Sequence, residues 1–93
     1  DLSNTELSYK RLERADLSGA NLQDVNFMRT NLRQADLRYS NLSQANFIWA
    51  NLSGADLRGA TLIDAVISES RNLDEAIFCE TTMPDGSLNN ANC

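Results

Sequence analysis

The sequence predicts an all-β solenoid, and two regularities predict it. A large apolar residue recurs at every fifth position, and a small residue stands two places ahead of nearly every one. The large positions run through Leu2, Leu7, Leu12, Leu17, Leu22, Phe27, Leu32, Leu37, Leu42, Phe47, Leu52, Leu57, Leu62 and Ile67. On an α-helix a step of five advances about 140° beyond a full turn and scatters these side chains round every side. A flat strand alternates its faces with period two, so an odd step sends successive leucines to opposite faces. A step of five keeps one residue inward only where the chain turns regularly, as a solenoid does.

The small positions fit the same reading. They are Thr5, Lys10, Ala15, Ala20, Val25, Thr30, Ala35, Ser40, Ala45, Ala50, Ala55, Ala60 and Ala65. A second inward residue beside each leucine must be small if a narrow interior is to reach native packing density. Lys10 is the exception, and it predicts a frayed or capped first coil whose amine snorkels outward.

The units "ADLSG", "ANLQD", "TNLRQ", "ADLRY", "SNLSQ", "ANFIW", "ANLSG" and "ADLRG" read A(D/N)LXX almost throughout, over about three quarters of the chain. In this the chain resembles the pentapeptide repeat family. The resemblance implies a right-handed quadrilateral parallel β-helix in which four pentapeptides, twenty residues, make one square coil. It implies about four such coils, stacked at the usual strand spacing of about 4.8 Å. The sequence supports four sides per coil, because Phe27 and Phe47 lie twenty apart and would set ring over ring. The expected inner stack is Leu7, Phe27, Phe47 and Ile67.

After Ile67 the next apolar centre is Leu73, six residues on, followed at five by Phe78, Met83, Leu88 and Cys93. The extra residue within "SESRNL" reads as a bulge in the coil wall. The expected division is therefore a repeat body over 1–69 and a closing segment over 70–93. That segment carries the only Pro, a Pro-Asp-Gly turn signal and both cysteines. A solenoid needs its last coil covered, because the open end exposes core and unpaired backbone.

Cys79 and Cys93 would close a loop of about 15 residues, for which the chain-entropy model gives roughly 3 kcal/mol. In strict register Cys93 points inward and Cys79 outward, so they meet only if residues 84–93 leave the coil. The other reading is two reduced cysteines that fill space. The "TTMPDGS" stretch with its terminal Cys is similar to the endings of cyanobacterial and plant thylakoid-lumen pentapeptide proteins. That likeness implies an exported protein, lumenal or periplasmic, where a disulfide persists. Asp1 already stands inside the repeat, so the natural protein is expected to extend or be processed upstream.

Outward positions follow each centre by one and two places, and the Asp or Asn one before it is read as structural. One side stands apart. Met28 and Ile48 form one file above the Phe column; Tyr9, Arg29, Trp49 and Glu69 form the next, with Arg29 beneath the only Trp. Exposed aromatic, apolar and Arg side chains together are the usual composition of an interaction hot spot. Tyr9, Met28, Arg29, Ile48 and Trp49 are thus the candidate interaction patch. On another side Arg38 and Arg58 stack with Ser18, and Tyr39 lies between Gly19 and Gly59.

Composition weighs against several functions. The chain has no His and no Gly-rich phosphate loop, and its interior is filled, so neither catalysis nor a cofactor or metal is expected. No basic stripe points to nucleic acid, and no apolar run approaches the roughly twenty residues of a membrane span. Imitation of DNA toward gyrase, a property of some pentapeptide repeat proteins, wants a long and strongly acidic rod. Here residues 1–67 carry a net charge of −1, and the remaining −4 of the total −5 lies in 68–93. The expectation is a non-catalytic solenoid, monomeric, that serves as a scaffold for an unidentified protein partner. The alternative is a spacer or stalk of a longer protein.

Overall fold

Parallel backbone bridges join each side of the chain to the side twenty residues ahead. They begin at Glu6↔Asn26 and run every five residues to Asn51↔Arg71 in the computed structural model, which describes residues 1–93. Each bridge is one residue long, so no side becomes a named strand. Between bridges the chain makes a tight turn. The N–H of the small residue donates to the carbonyl of the preceding apolar centre, as from Ala15 to Leu12 and from Ala50 to Phe47. The residue just before the small one is left-handed: Tyr9, Arg14, Gly19, Asp24, Arg29, Gln34, Tyr39, Gln44, Trp49, Gly54, Gly59 and Asp64 all have φ between +56 and +72°. A left-handed third residue is the mark of a type II turn.

Repeated corners give every fifth residue the same place on successive walls, bring the chain back to the same wall after twenty residues, and produce a stacked β-helix. The centres line its interior, with Leu22, Phe27, Leu32, Leu37, Leu42 and Phe47 completely buried. Phe27 and Phe47 stack with ring centroids 5.1 Å apart and planes inclined by 12°. Leu7 and Ile67, below and above them, are half-buried and pack against this core. Small residues fill the space between the centres. Where one is polar, its hydroxyl is spent on a carbonyl: Thr30 Oγ1 donates to Leu7 O, Ser40 Oγ to Leu37 O and Thr81 Oγ1 to Leu57 O, each at 2.7 Å. No buried side-chain polar atom lacks a partner. Lys10 stands exposed in the first coil.

The register shifts between Arg71 and Ile77, an interval that begins inside "SESRNL". Arg71 still pairs with Asn51, twenty behind it, but Ile77 pairs with Asp56 and Thr82 with Thr61, each twenty-one behind. The extra residue is taken up by a 3-10 turn, Leu73–Glu75, entered through left-handed Asn72. A helical turn rather than a bulge absorbs it. Leu73 keeps its contact with the core, and Ala76 and Phe78 regain the inward positions.

Leu88 and Cys93 do not continue the row of inward centres, and Leu88 is 60% exposed. The chain reverses at Pro84–Gly86, where Met83 N–H reaches Ser87 O and Gly86 takes φ +87°. Strand β2 (Leu88–Asn89) then lies antiparallel on strand β1 (Thr81–Thr82). β2 thus occupies the edge that a further coil would have taken, in the opposite direction. Asn90 and Asn92 accept from the N–H groups of Glu80 and Phe78. Cys79 and Cys93 are joined as a disulfide, with Cα atoms 4.9 Å apart.

The central stack and the closing hairpin give two expectations. Replacing Phe47 by Ala should cost about 3–5 kcal/mol in denaturant unfolding, since it opens a cavity that rigid walls cannot close. Leu2→Ala, at a residue already 37% exposed, should cost under about 1 kcal/mol. Cys79→Ser with Cys93→Ser should cost about 2–4 kcal/mol, by loss of the loop constraint. Hydrogen exchange should then quicken first at Thr81 and Asn89, the paired residues of the hairpin.

Candidate interaction face

Inward Leu and Ala positions dictate where every other side chain goes. The Asp or Asn at each bridge is turned toward its own corner, and its carbonyl or carboxylate oxygen accepts from the N–H two residues on. Asn26 receives Met28, Asn46 receives Ile48 and Asn51 receives Ser53, at 2.9–3.1 Å. These side chains are committed to the corners and offer no cluster that could hold a metal. What remains free is the pair of side chains at each corner.

Tyr9, Arg29 and Trp49 occupy corners twenty residues apart, and the coil spacing stacks them. The Arg29 guanidinium lies 4.0 Å from the Trp49 ring centroid and 5.9 Å from that of Tyr9. A cation between two ring faces gains from both quadrupoles. The Trp49 indole N–H donates to Glu69 Oε2 at 3.2 Å. Trp49 is 45% exposed and Tyr9 68%. Met28 and Ile48, one position earlier in their corners, are half-buried beside them. The five candidate patch residues therefore lie on one wall.

Arg71 belongs to the same place, and the repeat pattern conceals it. It holds the bridge position where the coils below carry Asn31 and Asn51. An Asn there folds onto its corner, whereas Arg reaches outward. With Tyr9, Arg29 and Trp49 it bounds a shallow depression of about 290 Å³. The signal in the sequence was an Arg in a slot mostly filled by Asn or Asp, although Arg11 occupies the same column in the first coil. A second depression, about 180 Å³ between Glu13, Arg14, Arg33 and Gln34, has no apolar wall, and Arg14 Nε there donates to Gln34 Oε1 at 2.8 Å.

The wall bearing Arg38 and Arg58 is internally neutralised. Arg38 Nη2 lies 2.7 Å from Asp36 Oδ2, and its Nε lies 3.9 Å from Asp56 Oδ2. Arg58 pairs with Asp56. Hydrogen bonds from Arg38 and Arg58 hold the Asp36 and Asp56 carboxyls below the usual carboxylate range. Ser8, Ser18 and Ser87 do the same for Glu6, Asp16 and Asp85. Tyr39 lies flat on Gly59, where an added Cβ would meet its ring at 2.5 Å.

Three comparisons place these features among known proteins. The family model described as "Pentapeptide repeats (8 copies)" matches residues 1–34 and 30–68. A solved structure of alr5209, a pentapeptide repeat protein from Nostoc Pcc 7120, is similar over 80% of this chain, with 36% identity and a TM-score of 0.76. That of HetL, a pentapeptide repeat protein involved in heterocyst differentiation regulation from Nostoc sp. strain PCC 7120, is similar over 95%, with 24% identity and a TM-score of 0.50. The chain spans 60% of the length of the first and 61% of the second. A pentapeptide repeat protein from the Arabidopsis thaliana thylakoid lumen, AT2G44920, aligns over 91% of this chain and 69% of its own, at 28% identity and a TM-score of 0.38. No curated protein matches.

The lowered carboxyl groups set an acid limit. A carboxyl whose folded value is depressed stabilises the fold above its unfolded pKa, near 4, and that contribution is lost as pH falls through the folded value. With no His in the chain, the melting temperature should stay level from about pH 8 down to 5 and decline below about 4. Asp36→Asn with Asp56→Asn should flatten the decline, as calorimetry across that range would read.

Proposed function

The chain belongs to the pentapeptide repeat family, whose members form right-handed β-helix solenoids, and from that premise we propose that it is a non-catalytic scaffold that binds a protein partner. Its contact face is Tyr9, Met28, Arg29, Ile48 and Trp49. The body over 1–69 supplies a rigid wall of about four twenty-residue coils, and 70–93 caps it. A rigid wall loses little conformational entropy when a partner docks.

One observation carries this reading. Trp49 stands 45% exposed at a corner, with the Arg29 guanidinium over its ring, 4.0 Å from the centroid. Trp and Arg stacked together are the residues most often found at interface hot spots. The disulfide between Cys79 and Cys93 supports an oxidising compartment, such as a periplasm or a thylakoid lumen.

The test uses the corner itself. Trp49→Asn removes the ring, with the loss of about 0.5–1 kcal/mol of cation–π contact. It also relieves a corner strain of about 1–2 kcal/mol. Folding stability should therefore stay level or rise slightly. Partner capture from a cyanobacterial extract should be lost. Equal capture by both baits would clear this wall and direct the search to the acidic residues of 68–93. A native bait that retains nothing would favour a spacer segment of a longer protein.

A further inference from the structure

The wall around Trp49 presents two guanidinium groups that form no ion pair within 4.0 Å. The arginines that form ion pairs within 4.0 Å are Arg38 and Arg58, both on another wall. Arg29 is held by ring faces alone. No ion pair or side-chain hydrogen bond engages its guanidinium N–H groups, which are free to donate. Arg71 borders the same depression, and its backbone is fixed by bonds to Ala50 and Leu52. Unpaired arginines occur elsewhere on the chain, but this pair shares a depression with aromatic walls.

We propose that the depression bounded by Tyr9, Arg29, Trp49 and Arg71 is a carboxylate-binding site, which accepts a Glu or Asp side chain from an acidic segment of a protein partner. This deepens the scaffold reading above and rests on it. A guanidinium fork matches a carboxylate, and the bond is charge-assisted. The rings of Tyr9 and Trp49 supply apolar contact for the side chain next to that carboxylate, and half-buried Met28 and Ile48 extend it. The Trp49 indole N–H is already taken by the Glu69 carboxylate, which forms no ion pair within 4.0 Å with Arg29 or Arg71, so the two guanidinium groups are the donors left for an incoming carboxylate.

Charge narrows the occupant. The whole chain carries −5, which repels a polyanion such as nucleic acid along its length. A segment of few carboxylates interspersed with apolar residues escapes most of that repulsion at physiological ionic strength, where fields die within about 8 Å.

Trp49, as the only Trp, reports occupancy by its own fluorescence. The probe is an N-acetylated, C-amidated hexapeptide alternating Glu and Leu, set against the same peptide with Gln for Glu and against inorganic phosphate. A saturable change is expected with the Glu peptide only, weaker at high salt. Arg29→Gln and Arg71→Gln should each weaken it about tenfold, the usual scale for one charge-assisted hydrogen bond. Arg33→Gln, in the other depression, should leave it unchanged. Gln is native at the left-handed corners Gln34 and Gln44, so Arg29→Gln should fold, and circular dichroism checks this. Equal response to the Gln peptide, full response in either Arg29 or Arg71 variant, or no response to any probe would overturn the proposal. Phosphate acting as well as the Glu peptide would make this a general anion site and overturn it too. A partner lost by Trp49→Asn but kept by both Gln variants would leave the scaffold reading standing without it.

Discussion

A left-handed residue at every fifth position from Asn4 to Asp64 is the constraint on which this molecule depends. It turns the chain after a side only one bridge long, and the turn is closed at once by a bond from the small residue to the apolar centre behind it. Without the corner the fifth residue would alternate in and out, and no common interior would form. With it, the centres must face one another across a narrow lumen, which is why from Leu17 to Leu62 each Leu or Phe is paired with Ala, Ser, Thr or Val. The Asn and Asp side chains reinforce the corner from outside by taking the N–H two residues on. Corner, interior and polar ladder are thus one arrangement seen from three sides.

That arrangement also explains how the chain tolerates its departures. Between Arg71 and Ile77 the extra residue is gathered into a short 3-10 turn, so inward positions resume at Ala76 and Phe78 with only the bridge spacing changed. At the end the same backbone edge that would template another coil is met by β2 from the opposite direction. The chain supplies its own edge protection there, and the disulfide ties the returning segment to the wall it covers.

Because the corners are rigid and regularly spaced, side chains twenty residues apart become neighbours and form short surface columns. Asp36, Arg38, Asp56 and Arg58 use this adjacency to neutralise one another. Tyr39 uses it to cover Gly59. Tyr9, Arg29 and Trp49 use it to build a stack that leaves aromatic edge and guanidinium exposed. Two of these columns close on themselves; the third offers an unpaired surface. This contrast, rather than exposure alone, separates the candidate face from its neighbours.

Much of this was legible in one dimension. The five-residue period, the small partner positions and the Phe27–Phe47 spacing require a turning chain with a narrow filled interior. They also place Arg29 under Trp49, because a strictly repeating backbone converts sequence separation directly into position. Three things lay beyond the pattern. Corner positions accept Tyr, Trp, Arg, Gln, Asp and Gly alike, so no composition marks their left-handed backbone, and only the folded chain displays it. The direction of residues 84–93 follows from pairing with Thr81–Thr82, a contact with no periodic signature. Arg71 joins the Trp49 depression because a side chain in an Asn slot is long enough to leave its corner. Through Ile67, where the period is strict, the sequence by itself determined which residues face inward, since burial of apolar groups at a fixed period admits one solution. Tertiary structure decided which outward residues meet, since those contacts depend on side-chain reach, edge pairing and the shift of register beyond Arg71.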